Sequence, residues 1–127
     1  MKQNQEKKVA GIWMDNNKAY IISRPADNDS GEFAINEKID ATHYHGEKGE
    51  HASMNAEPQN LAKYHKAISK SILNYDHILV FGPGKAQEQL VNFLREDAHF
   101  NAKQLTLEAA QHLTDHQLIA KVRDFFA

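Results

Sequence analysis

The stretch His77 to Leu94, HILVFGPGKAQEQLVNFL, decides how the rest of the chain is read. Ile78, Leu79, Val80 and Phe81 are consecutive apolar residues, the pattern of a strand covered on both faces. Gly82-Pro83-Gly84 then turns the chain, and Leu90, Phe93 and Leu94 recur at helical spacing. A strand, a glycine turn and a helix start bring backbone N–H groups to one place, so Gly82, Gly84 and Lys85 form a candidate anion-binding turn. The turn is neither a Walker loop, because Ala86 follows Lys85, nor a GxGxxG fingerprint, because Gln occupies position 87.

Upstream, Val9–Asp15 and Ala19–Ser23 read as two strands joined by a tight turn at Asn16-Asn17, where asparagine tolerates positive φ. In the first, Val9, Gly11 and Trp13 point one way and Ala10, Ile12 and Met14 the other, which predicts cover on both sides and a core role for Trp13. Glu32–Ile39 is a third strand, alternating Phe33, Ile35, Glu37 and Ile39 along one side. Pro58 opens a helix with Leu61, Tyr64, His65, Ile68 and Ile72 on one face and Lys63, Lys66 and Lys70 on the other. A helix over about 84–97 and a short strand over 103–107 follow the glycine turn. Thr114 and Gln117 have capping-box spacing for a last helix. The order β-β-β-α-β-α-β-α predicts an α/β domain, a mixed five-stranded sheet with helices packed on it, as in ribonuclease-H-like and translational-machinery-component folds.

Composition narrows the function. The 127 residues suffice for one domain with its own core, 41% of them are hydrophobic, and the absence of cysteine excludes thiol catalysis, disulfides and thiolate metal sites. No apolar run approaches the roughly 20 residues of a membrane span. The opening MKQNQEKK lacks the apolar segment of a secretory signal, so cytoplasmic residence is expected. A formal net charge of −2 argues against a general polyanion coat, and DNA is not an expected partner. Residues 1–7 are expected to be flexible. Residues 40–57 show no hydrophobic period and are expected to form a mobile loop.

That loop holds His43, His45 and His51, with Glu47 and Glu50 nearby, the side chains that would ligate a metal. No HExxH motif accompanies them, and histidines on a polar loop are more often solvated, so no cofactor is expected. A two-metal nuclease site needs clustered carboxylates, and the strands offer only Asp15 and Glu37. The lysine face of the first helix, together with Lys48 and Lys85, is a candidate for contact with RNA backbone.

Three passages carry a family resemblance. VAGIWMDNNKAYII, ILVFGPGKAQEQLVNFL and the stretch His45–Ala52 resemble the central domain of eukaryotic and archaeal class-1 peptide-chain release factors and their Pelota relatives. They match, in turn, that domain's opening hairpin, its buried strand with glycine turn and helix, and its tripeptide-bearing loop. The resemblance covers about residues 8–126. Single-domain bacterial proteins of this type are described as translational machinery or release-factor-like proteins. Where the family carries Gly-Gly-Gln, this chain has Lys48-Gly49-Glu50. The resemblance therefore implies a non-catalytic factor that binds ribosome or tRNA, in stress, rescue or dormancy, without the codon-reading and partner-binding domains of full release factors. The alternative is a metal- or histidine-assisted hydrolase of a phosphate or ester, with the histidine loop as a lid over the glycine turn. The sequence leaves oligomeric state open.

Overall fold

The computed structural model describes residues 8–24, 31–41 and 58–127. Five strands, β1 (Val9–Met14), β2 (Lys18–Ser23), β3 (Ala34–Asp40), β4 (His77–Gly82) and β5 (Gln104–Ala109), form one sheet in the order β3-β2-β1-β4-β5. The first three make an antiparallel meander, while β4 and β5 join β1 in parallel. Helices α1 (Pro58–Ser71), α2 (Ala86–Arg95) and α3 (Asp115–Phe125) complete the expected order, with a short 3-10 turn at Ala98–Phe100. The mixed α/β architecture matches the sequence reading, with strand and helix limits displaced by one to a few residues.

Alternation along β1 sorts the core into two layers. Ile12 and Met14 join Ile78 and Val80 against Tyr64 and Ile68 of α1, Ile72 just after it, and Leu90, Val91 and Leu94 of α2. Trp13 joins Leu79 and Phe81 on the opposite face, against Leu118 and Val122 of α3. Each fully buried side chain of this size contributes about 1.5–3 kcal/mol, so the two layers are a main source of the fold's stability. Trp13, the single tryptophan of the chain, is a core residue as expected. It stacks on Tyr20 at 5.8 Å between centroids, meets the His112 ring at 5.3 Å, and donates from Nε1 to the Gln111 carbonyl at 3.4 Å.

Two local features depart from the sequence reading. The β1–β2 turn does not use positive φ at asparagine, since no described residue has it. Instead the Asp15 carboxylate accepts from the Asn17 and Lys18 backbone N–H groups at 2.8 and 2.9 Å, so a side chain supplies what a left-handed backbone would otherwise provide. The alternation of β3 also breaks. Ile21 pairs with Glu37 and Ile22 with Ile35, leaving Asn36 as the extra residue of a bulge. Its Nδ2 donates to the Ser23 carbonyl at 3.1 Å and to the Ser23 hydroxyl at 2.5 Å. As a result Phe33 and Ile35 pack in the α3 layer while Ile39 packs in the α1–α2 layer. A strict period of two would have placed all three together.

Elsewhere, side chains close the ends of elements. The Thr114 hydroxyl accepts from the Gln117 N–H while the Gln117 side chain accepts from the Thr114 N–H, the reciprocal pair predicted for α3. After α1, the Lys103 ammonium donates to the Leu73 and Tyr75 carbonyls at 2.7 and 2.6 Å, tying the α1–β4 connection to the start of β5.

Gly82 is required by contact, not by dihedral angle: no described glycine has positive φ, but a Cβ at Gly82 would overlap the Met14 carbonyl oxygen. At Gly84 a Cβ meets nothing within 4 Å. Gly82→Ala is therefore expected to cost about 1–3 kcal/mol, the range for forced overpacking. Gly84→Ala should stay within about 0.5 kcal/mol of wild type. Urea denaturation of both variants measures the contrast, and equal effects would contradict it.

Candidate functional site

Strand directions gather the candidate residues. β3 runs antiparallel to β2 and so shares the direction of β1, β4 and β5, which places four strand ends at one edge of the sheet. The crevice outside the carboxyl ends of such strands is where open α/β sheets commonly bind ligands. Here that edge carries the Asp15–Lys18 turn, the Gly82–Lys85 turn and Ala41, whose N–H donates to the Asn17 carbonyl at 2.7 Å. The Tyr64 hydroxyl donates to the Asp15 carbonyl at 3.0 Å and pins the first half of α1 to the same edge. Burial, reinforced by the Asp15 and Asp40 carboxylates, pushes the Tyr64 phenol far above its ordinary pKa, so it remains a donor.

At the glycine turn, the Gly82 carbonyl accepts from Gln87 Nε2 at 2.8 Å and from the Ala110 N–H at 2.7 Å. Gln87 Oε1 is buried with no donor in reach among the described residues. Lys85 is the N-cap of α2, is exposed, and makes no side-chain cap hydrogen bond. The turn thus presents a lysine to solvent beside the start of a helix. Lys48, Gly49, Glu50, His43, His45 and His51 lie outside the described residues. Among the described residues, no group of three or more histidine, aspartate or glutamate side chains has the arrangement to hold a metal ion.

Lys63, Lys66 and Lys70 are exposed and brought together, but away from Lys85. They line one wall of a groove of about 750 Å³ between α1 and the segment that ends α2. Phe93, Phe100 and Leu73 contribute its apolar lining, and Glu96, Asp97 and His99 line it from the α2 side. Lys85 precedes the first residue of α2, whereas this groove lies at the other end of that helix, about 15 Å along its axis. Asp97 caps the 3-10 turn. The His99 backbone N–H and then its ring hold the Asp97 carboxyl below its ordinary range, with Lys66 adding a smaller contribution. The Asp97-x-His99 spacing was the available signal for this wall, but a short 3-10 turn has no hydrophobic period to reveal it.

Behind the groove, His65 is 4% exposed, lies 5.3 Å from the Phe93 ring and 6.0 Å from that of Tyr64, and has no partner at Nε2 among the described residues. Burial pushes its pKa down to about 4, so the imidazole is neutral at pH 7. The helical pattern placed His65 on the apolar face, and burial among aromatic rings sets its charge.

No family model and no curated protein matches the sequence. Solved structures do match its fold. Pelota from Archaeoglobus fulgidus superposes with a TM-score of 0.60 at 11% identity, covering 94% of this chain and 32% of that one. Dom34 from S. cerevisiae, described as a translation termination-like factor in RNA quality control that interacts with Hbs1, gives 0.55 at 13% identity over 90% of this chain and 32% of its own. The archaeal translation termination factor aRF1 gives 0.51 at 12% identity over 91% and 34%. The chain spans about a third of each of these proteins, and what it shares with them is the fold.

His65 gives stability a defined pH dependence. Its folded pKa lies below the ordinary 6.5, so the unfolded state takes up the proton first and stability falls as pH drops from about 6.5 towards 4. Between pH 7 and 5 wild type should lose about 2 kcal/mol that a His65→Phe variant retains. Urea titrations of the two proteins at both pH values measure this difference, and parallel losses would show that His65 is not its source.

Proposed function

We propose that this chain is a translation-associated factor that engages the ribosome or tRNA and does not hydrolyse the peptidyl-tRNA ester. The observation that carries this reading is the superposition of 94% of the chain on part of Pelota. Support also comes from the strand-end edge, where the segment following Ala41 departs and α1, which that segment enters, is pinned. In this reading the 40–57 segment, rich in polar side chains, is the part that contacts the RNA. Lys48 and Lys85 provide backbone contacts by charge. Lys48-Gly49-Glu50 stands where the family's catalytic tripeptide would lie. An ionised glutamate only accepts hydrogen bonds, whereas glutamine also donates them, and its charge opposes nearby phosphates. Loss of the tripeptide is compatible with a binding role in rescue, stress or dormancy in the cytoplasm. Lys63, Lys66 and Lys70 add positive charge to the same molecule, but the groove they line is acidic on its other wall.

The expected outcome is cosedimentation of tagged protein with ribosomal fractions in low-salt sucrose gradients and its release at high salt. Lys85→Glu, an exposed change, should reduce the bound fraction several-fold while leaving the thermal midpoint unchanged. Absence from ribosomal fractions in both growing and starved cells would overturn the proposal. So would rapid ester hydrolysis by the purified protein.

A further inference from the structure

The groove between α1 and the end of α2 has a charge pattern that selects its occupant. Lys63, Lys66 and Lys70 follow an i, i+3, i+7 spacing, so their side chains form a row about 10 Å long on one flank. Among the described residues none of the three stands within ion-pair distance of a carboxylate, although Lys66 acts on Asp97 from across the groove. Between the walls lie apolar side chains, with Leu73 42% exposed. The opposite wall carries Glu96 and the ionised Asp97. An RNA backbone laid in the groove would satisfy the lysines but press phosphates against two carboxylates and leave the apolar lining without a complement. A helix with an apolar stripe and a row of acidic side chains on one flank satisfies all three surfaces.

We propose that this groove is a docking site for an acidic amphipathic helix of a partner protein, with carboxylates at matching i, i+3/i+4, i+7 positions facing Lys63, Lys66 and Lys70. Apolar side chains of that helix cover Leu73 and Phe93, and its far flank is neutral or basic where it meets Glu96. The interaction is independent of RNA engagement at the strand-end edge and places a protein partner on a different surface. The lysine row supplies orientation and association rate, and the apolar lining supplies most of the residence time.

The test uses the full chain and a synthetic helical peptide of roughly three to four turns, with leucines along one stripe and glutamates along one flank. Amide shifts in NMR and fluorescence anisotropy read its binding. Shifts should centre on Leu73, Phe93 and Ala98, and K66E/K70E should weaken the peptide about tenfold or more. Leu73→Ser should weaken it less, by several-fold. All three substituted residues are exposed, so the variants keep the fold. The proposal is overturned by failure of the glutamate peptide to bind at millimolar concentration, by equal binding of a version with lysine in place of glutamate, or by indifference to K66E/K70E. It is also overturned if a structured RNA hairpin displaces the peptide from the same amides with a steeper salt dependence, which would assign the groove to nucleic acid.

Discussion

The approach of the Gly82 backbone to the Met14 carbonyl fixes where the parallel half of the sheet meets the meander. β1 is the central strand, hydrogen-bonded to β2 on one side and β4 on the other, with a helical layer on each face. Its backbone is also approached from above. A Cβ at Gly11 would overlap the Val122 side chain, so α3 packs directly on the strand. These close contacts set the register from which the rest follows: the alignment of β4 brings the Gly82–Lys85 turn to the strand-end edge, and the alignment of β2 brings the Asp15–Lys18 turn beside it.

Much of this order was legible because long apolar patterns report burial directly. Ile78–Phe81 reads as a doubly covered strand, and all four residues are fully buried. The Tyr64, Ile68 and Ile72 stripe predicts the face by which α1 packs, and Thr114 with Gln117 predicts the start of α3. What was illegible depends on single side chains competing for backbone groups. Asn36 as a bulge and Asp15 as the maker of the hairpin turn are contests between local hydrogen bonds, and no periodicity announces them.

The candidate site was legible in its residue types and not in its arrangement. Lys63, Lys66, Lys70 and Lys85 read alike as basic and exposed, yet Lys85 opens α2 while the other three line a groove closed by residues at the far end of that helix. The acidic wall opposite the lysine row comes from a turn that follows α2, and only tertiary packing places it there. Two surfaces of different electrostatic character thus emerge from what the sequence presents as one basic set. A formal net charge of −2 says little about either surface, because fields from exposed side chains are local.

The sandwiching of the sole indole between Tyr20 and His112 makes the chain its own optical gauge. Excited selectively, that ring registers the seam between the sheet and the connection after β5, while the opposite helical layer holds tyrosines and no indole. Spectroscopists following unfolding would therefore be watching one side of the molecule, and a mismatch with circular dichroism would disclose layers that come apart at different denaturant concentrations.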